Sequence, residues 1–144
     1  MGDLGHENII VNITQQPPRL YVLDWELART GSPGEDTGLF CAYMEFLVRS
    51  NQTASTAASV ILWNFIDAYS RISNRDTFLA QDTLLYWGLA YVVWAPRDPV
   101  GDKSLVHEFV KEGIKYLVHF RDEAFLGQLP VKPLLPDSPT EGNW

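Results

Sequence analysis

The sequence predicts an α+β fold that is mostly α, in which a β-hairpin packs on about four helices. Three observations lead there. Two short runs rich in β-branched and large apolar residues, Asn8 to Ile13 and Arg19 to Trp25, flank Gln15-Gln16-Pro17-Pro18, whose prolines stop either run from continuing. After Gly31-Ser32-Pro33-Gly34, each long segment carries apolar residues three and four apart, the period of an amphipathic helix. The chain has 144 residues, 46% of them hydrophobic, which is enough for one core and too little for two full domains.

The hairpin follows from the two runs and the turn between them. A two-stranded hairpin is too small to stand alone, so it must lie on the helices, with its loops and strand ends at the edge of a helical body. Asp36 is expected to cap a first helix running through Arg49, with Leu39, Phe40, Tyr43, Phe46 and Leu47 on one broad face. A second helix spans about Ser55 to Ser73, with Leu62, Phe65, Ile66, Tyr69 and Ile72 in register. Asp76 is the expected cap of a third, which runs to Trp94 and is closed by Pro96 and Pro99. The fourth starts at Asp102 or Ser104 and stops at Gly127. The expected boundaries are a main unit over 1–128, made of a hairpin segment (1–30) and a helical subdomain (35–127). A proline-rich extended tail covers 129–144, with Pro130, Pro133, Pro136 and Pro139.

Charge narrows the function classes. The net charge of −7 argues against a nucleic-acid binder that relies on a basic surface. Cys41 is the only cysteine, so neither an intrachain disulfide nor a thiolate zinc cluster is available. The longest nearly polar-free run, Leu84 to Ala95, is shorter than the ~20 residues of a membrane-spanning helix. The polar start Gly2-Asp3-Leu4-Gly5-His6-Glu7-Asn8 does not read as a signal peptide, so a cytoplasmic location is expected. Residues 1–36 nevertheless concentrate acids: Asp3, Glu7, Asp24, Glu26, Glu35 and Asp36, against Arg19 and Arg29. Such a cluster repels itself unless it is well solvated or holds a cation, and composition alone favours solvated loops.

The hairpin gives that cluster a shape. In an antiparallel pair the start of one strand lies beside the end of the other, so Asn8 and Asp24 become neighbours. An amide oxygen and a carboxylate form a hard-oxygen pair suited to Mg²⁺. Asp3, in the loop just before, is placed to face the same point and take a proton from an attacking hydroxyl. Those are the parts of phosphoryl transfer, in which the protein mainly positions groups and neutralises charge.

The same residues resemble a known family. Gly2-Asp3-Leu4-Gly5-His6-Glu7-Asn8-Ile9-Ile10-Val11 is similar to the catalytic loop of the aminoglycoside phosphotransferase and choline kinase-like family, a branch of the protein-kinase fold. Leu20-Tyr21-Val22-Leu23-Asp24-Trp25-Glu26 resembles its second signature, an apolar strand ending in Asp-aromatic-acid. Pro33-Gly34-Glu35-Asp36-Thr37-Gly38 resembles the segment after it, where an aspartate opens the next helix. The resemblance implies that Asp3 orients or deprotonates the substrate hydroxyl, and that Asn8 and Asp24 hold Mg²⁺ against the phosphates of ATP. It implies more weakly that Glu26 stands near the metal, and that Asp36 braces the catalytic loop from the helix below.

The sequence departs from the family in three places, one of them the gap between Asp3 and Asp24, which the Gln15 to Pro18 turn stretches as a tolerable loop insertion. Met1 stands where the family has histidine, and the sequence starts at the catalytic loop, so the nucleotide-binding N-lobe with its phosphate-gripping lysine has no counterpart. The expected function is thus that of the C-lobe of an ATP-dependent small-molecule kinase. It would transfer the γ-phosphate to an alcohol group of a small-molecule substrate, and be incomplete or inactive alone. The expected partners are that substrate and a missing N-lobe or a second copy, with neither nucleic acid nor membrane. The alternative is a non-catalytic interaction module that binds a partner through the surface an N-lobe would cover.

Overall fold

Pro17 and Pro18 turn the chain back on itself. In the computed structural model, which describes residues 1–73, 76–97 and 102–135, the flanking runs pair as strands β1 (Ile9–Asn12) and β2 (Arg19–Val22). They are antiparallel, with Ile9 opposite Val22 and Asn12 opposite Arg19. The helices are α1 (Pro33–Ser50), α2 (Ser55–Ile72), α3 (Thr77–Val93), α4 (Lys103–His119) and the short α5 (Glu123–Leu126). The fold is α+β and mostly α. Among the described residues, no helix is long and apolar enough to cross a membrane.

The core lies where α1, α3 and α4 cross. Trp87 and Tyr91 of α3 and Phe109 of α4 have no exposed surface, and Phe46 of α1 packs edge-on to Phe109 with ring centres 4.6 Å apart. Glycines let these backbones approach. A Cβ at Gly38 would lie 2.5 Å from the Thr83 carbonyl oxygen, and one at Gly113 would lie 2.7 Å from that of Gly88. Neither position has room for a side chain unless the helices move apart. Beside the first crossing the Thr37 and Thr83 hydroxyls share a buried hydrogen bond of 2.9 Å. The hairpin joins this body at its base: Leu4 and Ile9 pack against the core, while Val11, Leu20 and Tyr21 face solvent.

Three local expectations are corrected. Asp36 does not cap α1. The cap is Ser32, whose hydroxyl accepts from the Gly34 N–H, with Pro33 already in a helical position behind it. A serine followed by proline is the stronger start, because proline lacks the N–H that would go unsatisfied there. The fourth helix does not reach Gly127. It ends at His119, and Asp122 caps a separate α5 by accepting from the Phe125 N–H. From Leu129 to Leu135 the chain is not extended, because Lys132–Leu134 forms a 3₁₀ turn with Val131 and Leu134 buried in the core. Pro133 fits that turn through its fixed φ, and the Leu134 carbonyl accepts from the Asp76 N–H. Pro136 and Pro139 lie outside the described residues. The caps expected at Asp76 and Asp102 are present.

One acid is held at a cost inside this packing. Glu45 of α1 is largely buried, and burial, followed by repulsion from Glu112, lifts its carboxyl above the ordinary 4.5, against the lowering pull of Tyr91 and Arg49. The Tyr91 hydroxyl and Trp87 Nε1 are buried without a partner of ordinary hydrogen-bond geometry, although that hydroxyl approaches Glu45 closely enough to influence it. A raised carboxyl pKa means the folded state holds its proton longer than the unfolded chain. Stability is therefore full below the unfolded value and lost as pH rises through the folded one. Glu45→Gln is expected to raise the melting temperature at pH 7, with the gain shrinking towards pH 4; melting curves across that range check it.

Candidate functional site

The site grows from the way the first residues are tied down. Gly2 has φ of +93°, and a Cβ there would meet the Leu27 carbonyl oxygen at 2.8 Å, so only glycine passes at this point. The carboxylate of Asp36, in the first turn of α1, accepts from the Gly2 N–H at 2.7 Å and from the Met1 amino group at 2.8 Å. That clamp fixes the backbone on which Asp3 follows.

Asp3 is tied again from the other side. Its carbonyl accepts from the Gly5 N–H at 3.0 Å and from the Asn8 side-chain amide at 3.1 Å. With its nitrogen engaged, Asn8 has its amide oxygen to offer. The Asn8 carbonyl accepts from the Leu23 N–H at 2.8 Å, which extends the ladder by one residue and brings Asp24 next to the mouth of the hairpin. Asp24 has φ of +59°, the left-handed region that aspartate tolerates better than most residues, and the chain leaves the strand direction there. The Trp25 indole N–H donates to the Val22 carbonyl, and the Ala28 N–H to that of Trp25, shaping the return.

Electrostatics marks the same convergence. The Asp3 carboxyl is pushed above its ordinary 3.8 by partial burial first, then by the charges of Glu7, Asp24 and Asp36. Asp3, Asn8, Asp24 and Asp36 are thus brought together. Glu26 is not. It sits in an exposed turn and forms no hydrogen bond or ion pair with them among the described residues. His6 faces Glu7, with Nδ1 3.0 Å from Oε2.

The donor chemistry fits Mg²⁺ in a limited way. Among the described residues no three His, Cys, Asp or Glu side chains gather to hold a metal. Mg²⁺ commonly takes one or two protein carboxylates, with waters and substrate phosphates completing its shell. No lysine precedes Lys103, so none of these loops carries a lysine to grip a phosphate.

Two features of the site were not anticipated. Glu7 contributes to the field on Asp3, and the acidic density of the first 36 residues was its one signal. A cleft of about 340 Å³ also opens beside Gly2 and Asp3, walled by Leu27, Leu39 and one stripe of α3. The helical register groups Trp94 with Leu84, Trp87 and Tyr91, but those three are enclosed by the core while Trp94 is left 42% exposed at the cleft.

Comparison with known proteins supplies one similarity. No family model and no solved structure matches the chain. A 4-hydroxytryptamine kinase from Psilocybe cubensis is 26% identical over 148 aligned positions, covering 97% of this chain. The chain spans 39% of that relative's length. The similarity is to a protein named as a kinase, and it extends across nearly all of the present sequence.

Proposed function

We propose that this chain is the catalytic-loop portion of a cytoplasmic small-molecule kinase of the aminoglycoside phosphotransferase and choline kinase-like type, acting on a hydroxyl group with ATP and Mg²⁺. The observation that carries the reading is the meeting of Asp3, Asn8 and Asp24 at the base of the hairpin, in the order the resemblance implies. The similarity to a protein named as a kinase also supports it.

In this reading Asp3 holds the acceptor hydroxyl and takes its proton as the oxygen attacks the γ-phosphorus and ADP departs. Partial burial and the charges of Glu7, Asp24 and Asp36 make the Asp3 carboxylate a somewhat stronger base than a free aspartate, the direction a proton acceptor needs. Mg²⁺, when bound, supplies neutralisation of the phosphate charge. Asn8 and Asp24 would hold it, Glu26 is the weaker candidate beside them, and Asp36 keeps the loop in place. A further lobe, in the same chain or another, would supply the cationic grip on the nucleotide. For the relative, the printed acceptor is 4-hydroxytryptamine; for this chain the proposal is a small-molecule alcohol or phenol.

Calorimetric titration with Mg·ATP tests the metal pair. Weak, Mg²⁺-dependent binding is expected. Asp24→Ala should weaken it at least tenfold, about 1.4 kcal/mol, the low end for a charge-assisted contact. Asp3→Asn should leave it within about twofold, because Asp3 is assigned to the acceptor. Tight binding that ignores Asp24 would refute the assignment.

A further inference from the structure

The lysines of this acidic chain are gathered on one helix. Three of the four, Lys103, Lys111 and Lys115, lie on α4, and so do two of the three histidines, His107 and His119. These five stand four residues apart from the first residue of the helix to the last, so they form one ridge winding along it. All five are exposed. Like charges at this spacing repel one another, and acids placed among them would relieve the repulsion. The two acids that α4 does carry, Glu108 and Glu112, are both engaged by Arg49 from the last turn of α1, at 3.0 Å and 2.7 Å. Among the described residues, no lysine of α4 forms an ion pair. The helix therefore presents uncompensated positive charge on a chain whose net charge is −7.

Apolar surface lies beside the ridge. Ile114 and Val118, one turn apart, are 51% and 68% exposed. The core side of α4 is already supplied by Phe109, Gly113 and Tyr116, so internal packing leaves these two unused. With Lys111 and Lys115 they line an open groove of about 640 Å³, which Arg49 also borders. Its lining follows α4 from Glu108 to His119, a length of about 17 Å at the helical rise.

Charge and shape select the occupant. The lysines call for carboxylates opposite them, and Ile114 and Val118 call for aliphatic side chains. A helix with a leucine stripe flanked by glutamates offers both along the length of such a groove. An anionic bilayer fits less well. It brings a flat surface to a groove, the lining offers it neither tryptophan nor phenylalanine to insert, and the rest of an acidic chain is repelled by it.

We infer that the outer face of α4 is a docking surface for an acidic amphipathic helix of a partner protein, with carboxylates on Lys111 and Lys115 and an aliphatic stripe on Ile114 and Val118. Arg49 is in the last turn of α1 and Asp36 in the first, about 20 Å apart, so a partner seated here leaves the loop that carries Asp3 open. The contact stands or falls separately from the kinase reading.

The test uses the full 144-residue chain and a labelled synthetic helix of about 18 residues, five turns, with leucines three and four apart between glutamates. Fluorescence anisotropy follows binding, which should weaken as salt is added. Lys111→Glu combined with Lys115→Glu should weaken it at least tenfold, and Ile114→Ser combined with Val118→Ser at least threefold. A shuffled peptide of the same composition should bind at least fivefold more weakly. Arg19→Glu combined with Arg71→Glu, a reversal of two exposed charges on β2 and α2, should leave affinity within about twofold. In the parent chain the peptide should also move the Ile114 and Val118 methyl signals in NMR spectra, a readout that needs no variant. Absence of binding, equal binding of the shuffled peptide, or an equal loss in the Arg19 and Arg71 variant would overturn the proposal, because the contact would then be missing or a matter of charge alone. Two further results would overturn it by naming a different occupant. One is binding to vesicles of phosphatidylserine and phosphatidylcholine with the same dependence on both α4 pairs. The other is a dimer of the chain, seen in sedimentation, that the same substitutions dissociate.

Discussion

Trp87→Ala is expected to destabilise the chain by about 3–5 kcal/mol, the range for deleting a large aromatic side chain from a packed core. The residue has no exposed surface and lies where three helices meet. Its ring stands edge-on to Tyr91 and Tyr116, with centres 6.5 Å and 6.0 Å away. Its backbone N–H lies on the tight α1–α3 crossing, where a Cβ at Gly38 would come within 2.9 Å of it. Surrounding helices held this closely have little freedom to collapse into the hole, which puts the cost in the upper part of the range. Against a typical total of about 5–15 kcal/mol, that is a large fraction of the whole stability. Trp87→Phe should cost far less: it keeps a ring, and the indole N–H it discards has no partner of ordinary geometry to lose. Leu20→Ala in the hairpin, at a residue 68% exposed, should stay within about 0.5 kcal/mol. Urea titrations of the three variants check the ranking. A Trp87→Ala cost below about 1 kcal/mol would mean that this junction is not the centre of the core.

The contrast between those variants explains which parts of the molecule were legible beforehand. Helix starts at Asp76 and Asp102 could be read because an aspartate before an apolar-periodic run has one strong local use. Asp36 was misread for the same reason: it looks like a cap, but Ser32-Pro33 takes that place and leaves the Asp36 carboxylate free for the backbone of Gly2. The break between α4 and α5 carries neither glycine nor proline, only Asp122, so periodicity runs straight through it. The proline-rich end misled in the other direction, because Val131 and Leu134 are buried and the spacing of prolines says nothing about burial.

At the site, the nearness of Asn8 and Asp24 followed from the strand lengths and the turn alone, since an antiparallel ladder makes neighbours of its two open ends. The left-handed backbone at Asp24 did not, and neither did the clamp on Gly2. Both depend on Leu27, Trp25 and α1 arriving at the loop from elsewhere in the fold. The cleft was least legible. Its main wall belongs to a helix apolar nearly all round, and only tertiary packing decides which of its stripes is left uncovered.

Asp36→Ala should cost about 2–4 kcal/mol and loosen the loop that carries Asp3. Its two carboxylate oxygens accept from the Gly2 N–H and the Met1 amino group, and hydrogen bonds to a charged group contribute about 1.5–3 kcal/mol each. Partial exposure, 23% for the Asp36 side chain, lets water take over some of that loss and keeps the sum below the simple total. The first turn of α1 adds a small favourable term, since a helix start favours negative charge. Asp36→Asn retains an acceptor oxygen for Gly2 and loses both the charge and the acceptor that faces the Met1 amino group, so it should cost less than Asp36→Ala without being neutral. Two readouts separate the clamp from general packing. Amide exchange at Asp3 and Gly5 should accelerate in Asp36→Ala far more than exchange in α3. In Asp36→Asn, the Asp3 carboxyl should titrate closer to its ordinary 3.8, because one of the charges that raise it is gone. Unchanged exchange at Asp3 in the alanine variant would show that the bonds from Gly5 and Asn8 hold the loop without Asp36, and that the geometry of the site depends on the hairpin alone.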